Sequence, residues 1–206
     1  YGDFIYMGFM PDVPRSERFE DVYFSSEDGP GETAYVFFDG NNLPAAWQGA
    51  ERFTIGETGF GTGLNFLLTW ALFNRTAPKG AILDYVSVEK YPLSAEDIKN
   101  GLSQFSELIS PYLEKFLSKY PMRVPGFHRI VFDNRVALTL IFDDAGDAFS
   151  EVEGDFDAWF LDGFTPSRNP DMWTDRIFAE IARLSHKGTT FSTFTSAGFV
   201  KRGLRA

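Results

Sequence analysis

The apolar positions along the chain alternate between two rhythms, short β-branched or aromatic runs and longer stretches of helical spacing. Arg52–Glu57 reads as a strand ending in a glycine-rich turn, Glu57-Thr58-Gly59-Phe60-Gly61-Thr62-Gly63. Leu64 to Phe73 follows as a nearly all-apolar helix, the composition of an element buried against a sheet. Ala81–Glu89 is the next strand, and Ile82, Leu83, Val86 and Val88 give it the apolar run of a covered parallel strand. Ser94 opens a helix, with Asp97 placed for a capping box and Leu93 and Ile98 for a hydrophobic staple. Another helix is expected to start at Ser110-Pro111, with Pro at the first helical position, and to stop at Pro121. Phe127–Phe132 and Val136–Phe142 flank Asp133-Asn134-Arg135 and predict an inserted hairpin. Asp157–Asp162 is a further core strand. After it come a Pro- and Asn-containing loop, a helix from about Asp171 to Leu184, a strand across Thr189–Thr195, and a last helix capped by Ser196 that is still running at Ala206. Strand–helix alternation of this kind predicts a doubly wound, mostly parallel α/β sheet.

Residues 1–50 depart from that rhythm. Tyr35–Phe38 reads as a strand between turn signals at Asp28-Gly29-Pro30-Gly31 and Asp39-Gly40-Asn41-Asn42, so this segment is expected to be a β arm laid on the main domain. The 206 residues suit one domain, with 1–50 as the arm and 94–135 as an insert. A hydrophobic fraction of 44% excludes disorder for the bulk of the chain, and 23 Phe predict a core rich in large rings. No apolar run reaches the roughly 18 residues of a membrane-spanning helix. With no signal or transit peptide visible, the expected location is the cytoplasm. The absence of Cys excludes thiolate metal sites, and His128 and His186 lie far apart, so no metal centre is expected. A net charge of −10 argues against a general nucleic-acid coat, though not against a local basic patch such as Lys201, Arg202 and Arg205.

The glycine loop is the first candidate for chemistry. Its glycines let the backbone approach a ligand, and the following helix presents free N–H groups. The dinucleotide fingerprint fails because its third glycine would fall at Leu64 or Phe66, and the phosphate loop fails because no Gly-Lys-Ser/Thr follows. What remains is G-x-G-x-G with Glu57 just ahead, similar to the first motif of class I S-adenosylmethionine-dependent methyltransferases; the alternative is a tight turn without a ligand. Glu89 ends the second strand, placed to accept hydrogen bonds from ribose hydroxyls, with Lys90 beside it. Acids at Glu57 and Glu89 would repel a phosphate but not a sulfonium cation. Asp143-Asp144 ends the following strand, and Asp162 stands at the crevice rim among Phe164, Pro166, Asn169, Pro170 and Trp173, rings suited to stack on a flat base or a cation.

Longer stretches then narrow the resemblance. Glu57 to Phe66, Asp157 to Phe164, Asn169-Pro170-Asp171-Met172-Trp173, Thr193 to Val200, Asp21-Val22-Tyr23-Phe24-Ser25 and Glu32-Thr33-Ala34-Tyr35-Val36 together resemble the methyltransferase domain of the MnmC family of tRNA-modifying enzymes. The resemblance implies a Rossmann-like methyltransferase that uses S-adenosyl-L-methionine to methylate the aminomethyl group of 5-aminomethyl-2-thiouridine at the tRNA wobble position, giving 5-methylaminomethyl-2-thiouridine. By position, it implies that Glu57, Gly59, Phe60, Gly61, Thr62, Gly63 and Asn65 bind the donor, with Glu89 on its ribose, Lys90 alongside and Asp144 on its adenine. The resemblance also implies that Asp162 both borders the donor and faces the reacting amine, and Phe164, Pro166, Asn169 and Trp173 are candidates for holding the acceptor. The family also implies an upstream FAD-dependent oxidoreductase, whose dinucleotide fingerprint this chain lacks, and a closing antiparallel strand pair not found before Ala206. Other classes weighed are a methyltransferase for a small-molecule or protein amine and a non-catalytic module that only binds the donor.

Overall fold

The computed structural model describes residues 15–16, 21–22, 29–163 and 167–204. β1 (Arg15–Ser16) and β2 (Asp21–Val22) form a short antiparallel pair. α1 (Gly29–Glu32) then runs into a π-helical turn over Thr33–Asp39. Tyr35–Phe38 is therefore helical and not a strand, and from Gly29 onward the turn expected at Asp28–Gly31 is the start of α1. Burial explains both differences. Gly29, Thr33 and Phe37 recur at every fourth position and are buried, while Tyr35 is 78% exposed. Phe37 stacks on Phe160 with ring centroids 5.0 Å apart. Packing of that kind outweighs strand preferences, which span only about 1 kcal/mol.

The main domain alternates as the pattern predicts: β3 (Arg52–Glu57), α2 (Leu64–Thr76), β4 (Ile82–Val88), α3 (Ala95–Gly101), α4 (Ser106–Leu117), β5 (Gly126–Phe132), β6 (Val136–Phe142), α5 (Ala145–Ser150), β7 (Phe156–Leu161), α6 (Asp175–Arg183), β8 (Ser185–Thr193) and α7 (Gly198–Gly203). The sheet order is β5-β6-β4-β3-β7-β8. β3, β4, β6, β7 and β8 are parallel, and only β5 runs antiparallel, against β6. The hairpin read at 127–142 thus extends the sheet: β6 is a core strand beside β4, and β5 its edge. From β3 the chain builds outward through β4 and β6, then returns to the other side of β3 to add β7 and β8. That reversal opens a crevice at the carboxyl ends of β3 and β7, where α/β sheets bind ligands.

Rings fill both faces of the sheet. One face packs Phe66, Trp70, Phe73, Phe116 and Phe132 beneath α2 and α4, and the other packs Phe149, Phe156, Trp159, Ile177 and Ile181 beneath α5 and α6. The capping box of α3 forms as expected, with Ser94 accepting from the Asp97 N–H and Asp97 from the Ser94 N–H.

Three helix readings are corrected, and one helix is new. α4 starts at Ser106, so Pro111 lies inside it; the apolar stripe Ile109, Leu113 and Phe116 is buried, and this holds the helix despite the lost backbone bond. The helix expected from Asp171 is split into a 3-10 turn over Pro170–Trp173 and α6, because Thr174 adopts an extended backbone and caps α6 by accepting from the Ile177 N–H. α5 was not anticipated and is capped by Asp144. α7 starts at Gly198, and its N-cap is Ala197 rather than Ser196. Among the described residues no helix is long and apolar enough to cross a membrane.

Candidate functional site

Four acids end or follow parallel strands around the crevice. Glu57 is the last residue of β3, Asp162 follows β7, Glu89 follows β4, and Asp144 follows β6 and opens α5. The first two belong to one network. Glu57 is fully buried, accepting from Asn65 Nδ2 at 3.0 Å on Oε1 and from Ser87 Oγ at 2.6 Å on Oε2. The same Asn65 Nδ2 donates to Asp162 Oδ2 at 2.6 Å, and the Gly163 N–H donates to Asp162 Oδ1 at 2.7 Å. One amide from the first turn of α2 therefore ties the acids of two adjacent strands together.

That closeness governs their charge. Burial, and then the neighbouring Asp162 charge, push the Glu57 carboxyl up to about 8, against the pull of its Ser87 and Asn65 hydrogen bonds. Burial also lifts Asp162 to about 6, with Glu32 adding to the rise while the Gly163 and Asn65 donors oppose it. Of the two, Glu57 is the acid that keeps its proton to higher pH and Asp162 the one that ionises first, an arrangement typical of sites that separate two acid roles. A consequence for stability follows. The folded protein binds the Glu57 proton more tightly than the unfolded chain, so stability from this group is lost as pH rises from 4.5 to about 8. Glu57→Gln removes the titration while keeping the shape. In donor-free protein, thermal unfolding should show the variant more stable than wild type at pH 8, by about 1–3 kcal/mol, with the gap closing toward pH 5. A gap that does not change with pH would contradict the buried-acid account.

The glycine loop is held from both sides. Gly61 adopts φ 54° and Gly63, the N-cap of α2, φ 78°, conformations that favour glycine. A Cβ on Gly59 would come within 3.2 Å of the Asp162 carbonyl oxygen, so the loop backbone runs directly against the β7 end. Thr58 Oγ1 donates to that same carbonyl at 2.5 Å. On the other side the Glu89 carboxylate accepts from the Gly61 N–H at 2.9 Å and from the Tyr91 N–H at 2.8 Å. Burial pushes the Glu89 carboxyl upward against these donors. Glu89 thus braces the loop, a role its strand-end position did not reveal.

The remaining candidates divide. Asp144 accepts from Lys90 Nζ at 2.9 Å and from the Gly146 N–H at 3.0 Å. Burial would raise its carboxyl, but these bonds and the Lys90 charge hold it low. Thr62 is buried in the loop, whereas Phe60 turns inward and packs on Phe66 and Phe116, making it a core ring rather than an open ligand surface. Trp173 is likewise only 5% exposed and packs edge-on against Phe194, so the expectation of an open aromatic platform is corrected there. Asn169 is half-buried ahead of the 3-10 turn. Phe164 and Pro166 lie outside the described residues, as do Arg205 and the side chain of Lys201, while Arg202 is exposed on α7. Sequence reasoning gave Thr33 and Ser87 no role: Thr33 lies in a stretch that carries the resemblance but ahead of the apparent strand, and Ser87 is a lone hydroxyl inside a real one. Among the described residues no cluster of three or more metal-ligating side chains occurs.

Comparisons with known proteins show what the chain is similar to. Residues 107–206 match the model of a family described as S-adenosyl-L-methionine-dependent methyltransferase. The chain is 52% identical over 200 residues to the tRNA 5-methylaminomethyl-2-thiouridine biosynthesis bifunctional protein MnmC of Pseudomonas fluorescens, covering 94% of this chain and 30% of that protein. The namesake from Chromohalobacter salexigens is 49% identical over 199 residues, covering 95% of this chain and 28% of that protein. Over residues 107–206 the chain matches this methyltransferase family, and over nearly all its length it is similar to these proteins. It spans under a third of the length of the curated relatives it matches. In fold it is similar to the crystal structure of MNMC2 from Aquifex aeolicus, with a TM-score of 0.75 at 21% identity over 93% of this chain and 58% of that one.

The matching family is described by its use of S-adenosyl-L-methionine, and the crevice suits that molecule chemically. The loop from Glu57 to Asn65 contains no Lys or Arg to pair with phosphate. α2 begins at Gly63 without a side-chain cap, and an uncapped helix N-terminus favours a carboxylate. The acids around it suit a sulfonium cation and a nucleoside.

Proposed function

We propose that this chain methylates the aminomethyl nitrogen of 5-aminomethyl-2-thiouridine at the wobble position of tRNA, giving 5-methylaminomethyl-2-thiouridine. The observation that carries the reading is the Asp162 carboxyl group, fixed at the crevice by Asn65 and the Gly163 N–H. It agrees with the name of the relatives, whose modified base carries a methylated amine. Glu57, the glycine loop, Glu89 and Asp144 hold the donor in this reading, and Lys90 fixes Asp144. Bound S-adenosyl-L-methionine supplies a methyl group whose bond to a positively charged sulfur breaks as the new C–N bond forms. Asp162 accepts an N–H bond from the amine, aims its lone pair, and stabilises the positive charge that grows on nitrogen. A carboxyl raised to about 6 also takes up the released proton more readily than an ordinary Asp. The word bifunctional in the relatives' name fits a second activity in the part of their length outside this chain. An FAD-dependent oxidoreductase there, or as a separate protein, would supply the free amine.

The pH dependence tests this assignment. A protonated amine has no lone pair, so the single-turnover rate should rise with pH through the pKa of the bound amine. Below about pH 6 it should fall more steeply, because Asp162 is protonated as well. A rate flat from about pH 6 to 9 would contradict an amine acceptor with chemistry limiting.

A further inference from the structure

Asn65 is the hinge of the acid network, and its own orientation needs a cause. Its Nδ2 must face Glu57 and Asp162, so its Oδ1 points the other way, into the protein. There it meets the Thr33 hydroxyl, which donates to it at 2.8 Å. Thr33 is only 3% exposed and also lies 3.1 Å from the Gly29 carbonyl oxygen, an alternative acceptor for the same proton. It sits where α1 passes into the π-helical turn, a segment fastened to the sheet independently of the site. Phe37 stacks on Phe160 of β7, and Asn41 Nδ2 lies within hydrogen-bond distance of the Trp159 carbonyl at 3.3 Å and Ser192 Oγ at 2.7 Å. The hydroxyl is therefore delivered from a braced element onto the back of the amide.

We propose that Thr33 is a positioning residue for methyl transfer: its hydroxyl locks the Asn65 amide in the one orientation that clamps Asp162, so residues 29–41 form part of the catalytic apparatus. The inference rests on Asp162 as the group that faces the acceptor amine. Without the hydroxyl, Asn65 Oδ1 is left a buried acceptor with no donor, and rotation of the amide becomes the way to satisfy it. Rotation withdraws Nδ2 from both acids. The titratable groups that face Asp162 are then Glu57 from β3, Glu32 from α1 and Tyr85 from β4. Asp162 loses a donor that favours its charged form, so the pH at which it ionises moves up.

Thr33→Val keeps the volume and removes the hydroxyl, and Thr33→Ser restores it. Both are compared with wild type for donor affinity by calorimetry and for single-turnover methylation of tRNA bearing the unmethylated aminomethyl group. The Val variant should bind S-adenosyl-L-methionine within about twofold of wild type and methylate about tenfold more slowly, the scale of one unsatisfied buried acceptor. The acid limb of its pH–rate profile should lie higher, and Ser should recover both rate and limb. A Val variant with the wild-type rate and limb would overturn the proposal, as would a slow variant whose limb is unmoved and which Ser does not rescue. Asp162→Asn run in parallel separates the two levels. If that change leaves the rate intact, the assignment of Asp162 itself has failed; if it slows the reaction and Thr33→Val does not, only the role of Thr33 has.

Discussion

Gly61→Val should abolish measurable binding of S-adenosyl-L-methionine while the protein still unfolds cooperatively. Gly61 stands at φ 54°, where a β-branched residue is strained by about 1–3 kcal/mol. Relief requires the loop to move, and the Gly61 N–H then leaves the Glu89 carboxylate that it meets at 2.9 Å. The donor's expected cradle and the Glu89 brace are disturbed together, so an affinity loss of more than about 100-fold is expected, roughly 3 kcal/mol. The fold should survive, since a domain has about 5–15 kcal/mol in hand. Gly80→Val provides the strain control. Gly80 has φ 90° with open space around the position of a Cβ, and it precedes β4 rather than following β3. Calorimetry should find normal donor affinity in that variant. Normal affinity in Gly61→Val as well would make the glycine loop a structural turn.

Asp162→Asn should leave donor affinity nearly unchanged and lower the single-turnover rate by roughly 10²-fold or more, the scale of losing one electrostatic stabiliser. The substituted side chain retains an oxygen for the Gly163 N–H, which now meets Oδ1 at 2.7 Å. It loses the charge that balances developing positive charge on nitrogen, and it loses the proton acceptor. The substitution also removes the charge that helps raise Glu57, so the Glu57 carboxyl should ionise at a lower pH in the variant. Loss of donor binding with an unchanged rate at saturating donor would assign Asp162 to the donor pocket instead.

Much of the sheet was legible because its strands carry continuous apolar runs and its turns carry Gly, Pro and Asp. β3, the glycine loop and α2 follow the expected order, and β4, β6 and β7 end close to the acids singled out at their carboxyl ends. What the pattern misread has physical causes. Tyr35–Phe38 has strand-favouring residues, yet burial of Thr33 and Phe37 imposes a helical period. Ser110-Pro111 has the signature of a helix start, but an apolar stripe on both sides of it carries α4 through the proline. At the site, strand ends located the acids, since topology alone brings parallel carboxyl ends together. Their partners were less visible. Asn65 lies inside the recognised motif, but its two-acid bridge depends on the lateral spacing of β3 and β7. Thr33 reaches it from 32 residues away in sequence.

The most direct test of the central claim uses methyl-labelled S-adenosyl-L-methionine and bulk tRNA from cells that lack the native methylation step, followed by digestion to nucleosides. The account predicts label in 5-methylaminomethyl-2-thiouridine, with incorporation dependent on Asp162. Label in another nucleoside, or none despite normal donor binding, would contradict it.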